Sequence, residues 1–205
     1  MDVVNSRLLT SQDGFLQLFA NEDEYLYFLT LTPEGITSAH ESPFRLVVKP
    51  GKGKRGSGVQ HDVKVYWDEA GRRYVPKPET LEISAYDYVV WHCERMTGSP
   101  PFAVRGKGRK GSFSSSALGP DAAYTHFFLS AGDVNYQVSG QGSYRVKVTD
   151  HRKVEKAEYA TRSGEAPVIN IRKGKAVPEQ LQVIAGQTVI WTVEEDSGVT
   201  ITSVR

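Results

Sequence analysis

The chain has 205 residues with 25 Lys and Arg against 24 Asp and Glu, so no global field draws it to nucleic acid or to an anionic membrane, and any charge-driven partner must be recruited locally. A single cysteine, Cys93, excludes an internal disulfide and a multi-cysteine metal site. The length accommodates two ordinary domains, and the start of the sequence, MDVVNSRLLTSQDGF, lacks the basic and apolar segments of an export signal, so a soluble, cytoplasmic protein without a membrane span is expected.

In chain order, short runs alternate apolar and polar residues: FRLVVK at 44–49, VKVYW at 63–67, TLEISAYDYVVWH at 80–92, YRVKV at 144–148 and LQVIAGQTVIWTV at 181–193. That is the period of a strand, filled with Val, Ile, Tyr, Phe and Trp. No helical stripe of useful length interrupts them, and Gly, Pro, Ser and Asp separate them at intervals typical of strands. An all-β sandwich or barrel follows.

Two internal repeats organise these runs. Residues from Pro78 to Trp91 match those from Pro178 to Trp191 without a gap, at an offset of 100, and Phe102 then falls on Val199 after a short deletion. Leu118, Tyr124, Phe128, Val134 and Tyr136 fall on Leu9, Phe15, Phe19, Tyr25 and Tyr27 at an offset of 109, and Tyr144 then falls on Phe44. Residues 60–150 thus read as one continuous domain, while 1–50 and 165–205 carry the two halves of another in reversed order. The expectation is a circularly permuted, discontinuous domain with the intact one inserted, and linkers at 51–59 and 151–164. Both chain ends would meet at a single loop equivalent to residues 106–112. The discontinuous domain closes either within one chain or by exchange with a neighbour.

The segments PETLEISAYDYVVWH, PPFAV and YTHFFLSAGDVNYQVSGQGSYRVKV resemble the plastocyanin and azurin type of cupredoxin, as do VPEQLQVIAGQTVIWTVEEDSGVTI and FLQLFANEDEYLYF. The resemblance implies two cupredoxin-like Greek-key β-sandwiches, one continuous and one discontinuous. It also implies where copper would be held, by two histidines, a cysteine and a methionine. Those positions fall on Phe102, Val138 and Gln141 in the continuous domain and on Val199, Leu29 and Thr32 in the permuted one, and neither loop contains methionine. A blue-copper centre is therefore not expected, and no other cofactor is implied.

Other chemistry-bearing residues have plainer readings. His92 and Cys93 are neighbours on a strand and point to opposite faces. His40, Glu34 and Glu41 are scattered along the loop at 30–43, where they read as solvated. His61 beside Asp62, and His126 between aromatics, have no spacing partner that suggests a catalytic set, and no serine sits in a nucleophile elbow.

Two Gly-rich basic stretches stand out, with Lys52, Lys54 and Arg55 in the first and Arg105, Lys107, Arg109 and Lys110 in the second. Neither has the spacing of a phosphate-binding P-loop. They read either as a flexible linker and a solvated hairpin tip, or as contacts for a polyanion or an acidic protein surface. Together these features point to a non-catalytic structural or interaction protein, a copper-free building block that meets a protein partner or itself in a larger assembly. The alternative is a module that binds nucleic acid, another polyanion or an acidic partner through the basic stretches.

Overall fold

The structure, a computed structural model, describes residues 2–34, 43–94, 99–194 and 196–204. Its first half contains β1 (Asp13–Leu18), β2 (Asp23–Thr30), β3 (Phe44–Lys49), β4 (Gln60–Asp68), β5 (Arg73–Lys77), β6 (Thr80–Ser84), β7 (Tyr88–Cys93), β8 (Ala103–Lys107) and β9 (Ser112–Ser114). The second half contains β10 (Ala122–Phe127), β11 (Gly132–Val138), β12 (Gln141–Thr149), the helix α1 (Lys156–Arg162), β13 (Val168–Arg172), β14 (Lys175–Val177), β15 (Gln180–Ile184), β16 (Thr188–Val193) and β17 (Ile201–Ser203). Among the described residues the protein is all-β, as its alternating runs require, apart from α1 and a 3-10 turn over His151–Lys153.

The strands form three sheets. An eight-stranded sheet, in the order β14, β13, β16, β10, β1, β7, β4, β5, runs the width of the molecule. A five-stranded sheet (β6, β3, β2, β8, β9) and a four-stranded sheet (β15, β12, β11, β17) complete the two halves.

Register explains why the large sheet has one covered face. Val63, Trp91, Phe15, Tyr124, Trp191 and Ile169 lie directly opposite one another on successive strands, so their side chains share one side. All six are essentially inaccessible to solvent. Trp91 meets Tyr27 of the five-stranded sheet at 5.7 Å between ring centroids, and Trp191 meets Tyr136 of the four-stranded sheet at the same distance. Each tryptophan is thus the central side chain of its own half.

The pairings correct the expected domain boundaries. β3 pairs in parallel with β6, Arg45 opposite Thr80, and β12 pairs in parallel with β15, Arg145 opposite Gln180. Residues 13–114 therefore close among themselves, and residues 122–203 do the same. The strand pairing groups the chain into two consecutive halves joined through β1 and β10, and does not place one domain inside a permuted one. The physical reason is that every half-motif occurs twice, so repeat offsets alone allow it to close with either copy. The segments at 51–59 and 151–164 are accordingly crossovers within a half and do not link domains. The second holds α1, where Glu158 and Arg162 form an i,i+4 ion pair at 2.7 Å. Its seven residues are too few to show a helical stripe.

The expected meeting of the chain ends is present. The Val4 amide donates to Ser203 Oγ at 2.9 Å and the Ser203 amide to the Val4 carbonyl at 2.8 Å. Residues near the N-terminus extend the four-stranded sheet beyond β17, just as β9 extends the five-stranded sheet beyond β8. Ser6 exchanges hydrogen bonds with Ile201 as Ser115 does with Val104.

Candidate binding surface

The two basic stretches, about fifty residues apart in sequence, arrive at the same end of the first half. The crossover from β3 to β4 lies on the turn between β6 and β7: the Ala85 amide donates to the Lys49 carbonyl at 2.9 Å, and the Tyr88 amide to the Val59 carbonyl at 2.9 Å. That turn also carries the β1–β2 connection, through Tyr86 donating to the Phe19 carbonyl at 2.7 Å. The β8–β9 hairpin tip folds onto the start of β2, where the Arg109 and Lys110 amides donate to the Asp23 carboxylate at 3.2 and 2.8 Å. Asp23 in turn lies opposite Val48, one residue before Lys49 and the crossover.

Four glycines in these stretches are packing devices, whereas Gly53 makes only ordinary contacts and a Cβ on Gly56 would meet nothing within 4 Å. A Cβ on Gly106 would sit 2.2 Å from the Phe113 ring, and one on Gly108 would sit 2.4 Å from the Asp23 carboxylate. In the other stretch, a Cβ on Gly58 would fall 1.8 Å from the Tyr86 carbonyl oxygen and one on Gly51 2.7 Å from that of Ala85. Close backbone approach is what glycine permits and other residues forbid. Lys107 and Arg109, on either side of Gly108, therefore sit on closely packed backbone, while Lys52, Lys54 and Arg55 lie on a crossover held at its two ends.

Two carboxylates hold this platform. Burial would push Asp23 up, but amide donors from Lys110, Glu24 and Arg109 overcome it and hold its carboxyl below the ordinary range. Asp87 behaves alike: burial opposes ionisation, while the Val59 and Ser84 amides and His61 Nε2, each within 3.0 Å, bring the pKa down.

Lys52, Lys54, Lys107, Arg109 and Lys110 are exposed and make no ion pair among the described residues. The other two predicted cations have partners. Arg55 binds Asp121 at the start of β10, with one nitrogen 2.8 Å from the carboxylate, and Arg105 donates to the Glu34 carbonyl.

The positions implied for copper are regrouped by the corrected pairing. Leu29 lies opposite Val104, two residues from Phe102, and Val138 lies opposite Ile201, two residues from Val199. Phe102 thus belongs with Leu29 and Thr32, and Val199 with Val138 and Gln141. Phe102, Leu29, Val138 and Val199 are buried, while Thr32 and Gln141 are exposed. Among the described residues no three His, Cys, Asp or Glu side chains converge on a metal position. His40 and Glu41 lie outside the described residues; Glu34 is exposed and accepts from Arg7 at 3.1 Å. Burial pushes the Cys93 thiol up, which disfavours the reactive thiolate.

His61 does have a partner, Asp87, and His126 has two. His126 Nδ1 lies 2.7 Å from Asp13 Oδ1, and the Tyr124 hydroxyl donates to the same oxygen at 2.5 Å. The strand period carried a signal for this cluster, because Tyr124 and His126 share the parity that faces the core. The pairing of β1 with β10, which brings Asp13 opposite His126, has no local sequence mark.

No protein-family model, curated protein or solved structure matches the chain.

Proposed function

We propose that the protein is a non-catalytic building block of a larger assembly, made of two copper-free, cupredoxin-like Greek-key halves, that docks on an anionic partner surface through the basic end of its first half. The observation that carries this reading is the convergence of two separate basic stretches on one rigid end. Five cations there lack ion pairs among the described residues; Gly106 and Gly108 pack the hairpin against Phe113 and Asp23, and Gly51 and Gly58 pack the two ends of the crossover against Ala85 and Tyr86. Cations on packed backbone lose little freedom on meeting an anionic surface, so a pre-formed end of this kind favours docking. Complementary charge would steer encounter and fix orientation.

The test uses immobilised poly-glutamate as the anionic surface, with binding measured as salt is raised. Affinity should fall log-linearly with salt. Replacing Lys107, Arg109 and Lys110 by Gln should flatten that dependence, while Gln at Lys147 and Lys175, exposed in the second half, should leave it unchanged. Equal slopes for all variants would sink the assignment of the surface.

A further inference from the structure

The basic end continues onto the outer face of the five-stranded sheet as a groove of about 490 Å³ across β2, β8 and β9. Its floor is ordered by register. Leu26 lies opposite Lys107, which lies opposite Ser112, and Phe28 lies opposite Arg105, which lies opposite Ser114. Each row therefore presents an apolar side chain, a cation and a hydroxyl, and the two rows are two residues apart along the strands. That is the repeat with which an extended peptide presents alternate side chains.

We propose that this groove holds an extended, acidic segment of a partner protein, with its apolar side chains on Leu26 and Phe28 and its carboxylates at Lys107 and the hairpin tip. The proposal rests on the anionic-partner reading and narrows it to a class. Charge complementarity selects the acidic component. Leu26, 47% exposed on a strand whose next outward residue is the half-buried Phe28, selects the apolar one. A nucleic-acid strand fits less well. Leu26, the more exposed of the two apolar floor residues, offers no stacking face for a base.

The experiment measures binding of three labelled probes to the whole protein at about 50 mM salt: a peptide of Glu-Ser-Leu-Ser repeats, which sets Glu and Leu on one face of an extended chain, a peptide of Glu-Ser-Ser-Ser repeats of equal length, and single-stranded oligothymidylate. The Leu-containing peptide should bind about tenfold more tightly than its Ser counterpart. Leu26→Gln should erase that difference, and Lys107→Gln should weaken both. Leu26 is solvent-accessible, so the variant should keep the parent thermal midpoint, which is checked alongside. Equal affinity of the two peptides, or indifference to Leu26→Gln, would overturn the groove proposal and leave the anionic reading standing. Tighter binding of oligothymidylate would overturn it in favour of nucleic acid. Binding of none of the three probes would remove the anionic reading itself.

Discussion

Asp13 and His126 face each other across the pair of strands that joins the two halves, 2.7 Å apart and with side chains fully shielded from water. Asp13 also accepts from the Thr10 amide and hydroxyl, both at 2.7 Å, and from Tyr124. Removing one member of such a cluster strands the others in the interior. Asp13→Ala should destabilise the fold by about 3–5 kcal/mol, and Tyr124→Phe alone by about 1–3 kcal/mol. Because the phenol donates to Asp13, the double variant should cost clearly less than the sum. Urea unfolding of the four proteins decides this, and strict additivity would mean that the Tyr124–Asp13 bond contributes nothing.

Glycine substitutions separate packing from flexibility. Gly106→Ala drives a methyl into the Phe113 ring, and Gly58→Ala drives one into the Tyr86 carbonyl, whereas a Cβ on Gly119 meets nothing within 4 Å. The first two should cost about 1–3 kcal/mol. Gly119→Ala should leave the unfolding midpoint within error. If Gly106→Ala were equally silent, the hairpin carrying Lys107 and Arg109 would be mobile, and the argument from a fixed platform would fail.

Acid should loosen the same end. The folded-state pKa values of Asp23 and Asp87 lie below the ordinary carboxylate value of 3.8. Their ionised forms therefore stabilise the fold at pH above 3.8, and that contribution disappears as pH falls through the depressed values. Amide exchange of Val59, Arg109 and Lys110 should stay slow from neutral pH to about 4 and, corrected for the intrinsic rate, quicken below it. Asp87→Asn should remove the pH dependence at Val59 alone. Protection that persists unchanged well below pH 3 would show that other contacts hold the loops.

The strands, the equivalence of Trp91 with Trp191 and the meeting of the chain ends were all readable from periodicity and repeats, because each is a local or duplicated pattern. The closure of the halves was not. Exchanging β1–β3 with β10–β12 leaves every offset intact, and only the pairings of β3 with β6 and β12 with β15 distinguish the outcomes. The Asp13–His126 cluster escaped for the converse reason. At the offset of 109, Asp13 corresponds to Ala122 and His126 to Gln17, so no second copy drew attention to either. The shared location of the basic stretches depended on Asp23 and on the turn at Ala85 and Tyr86, and nothing in the sequence ties either to the basic residues.

The internal repeat makes a strong prediction about connectivity. The pairing of Val4 with Ser203 is the open counterpart of the β8–β9 hairpin, so the chain ends and residues 108–111 occupy equivalent places in the two halves. A permuted chain that joins the old ends through a short Gly-rich linker and begins at Lys110 should therefore fold, since a closed hairpin replaces an open one and the reverse. Two groups would still secure each junction. Ser6 accepts from the Ile201 amide at 3.0 Å and Ser115 accepts from the Val104 amide at 3.0 Å, both within the core. In the parent chain Ser6→Ala and Ser115→Ala should each cost about 1–3 kcal/mol, because each leaves a buried amide without its acceptor. In the permuted chain the same substitutions should cost the same within error, as measured by urea unfolding. A permuted chain that assembles only as dimers would show that the hairpin connection, and not the pairing, keeps the halves together.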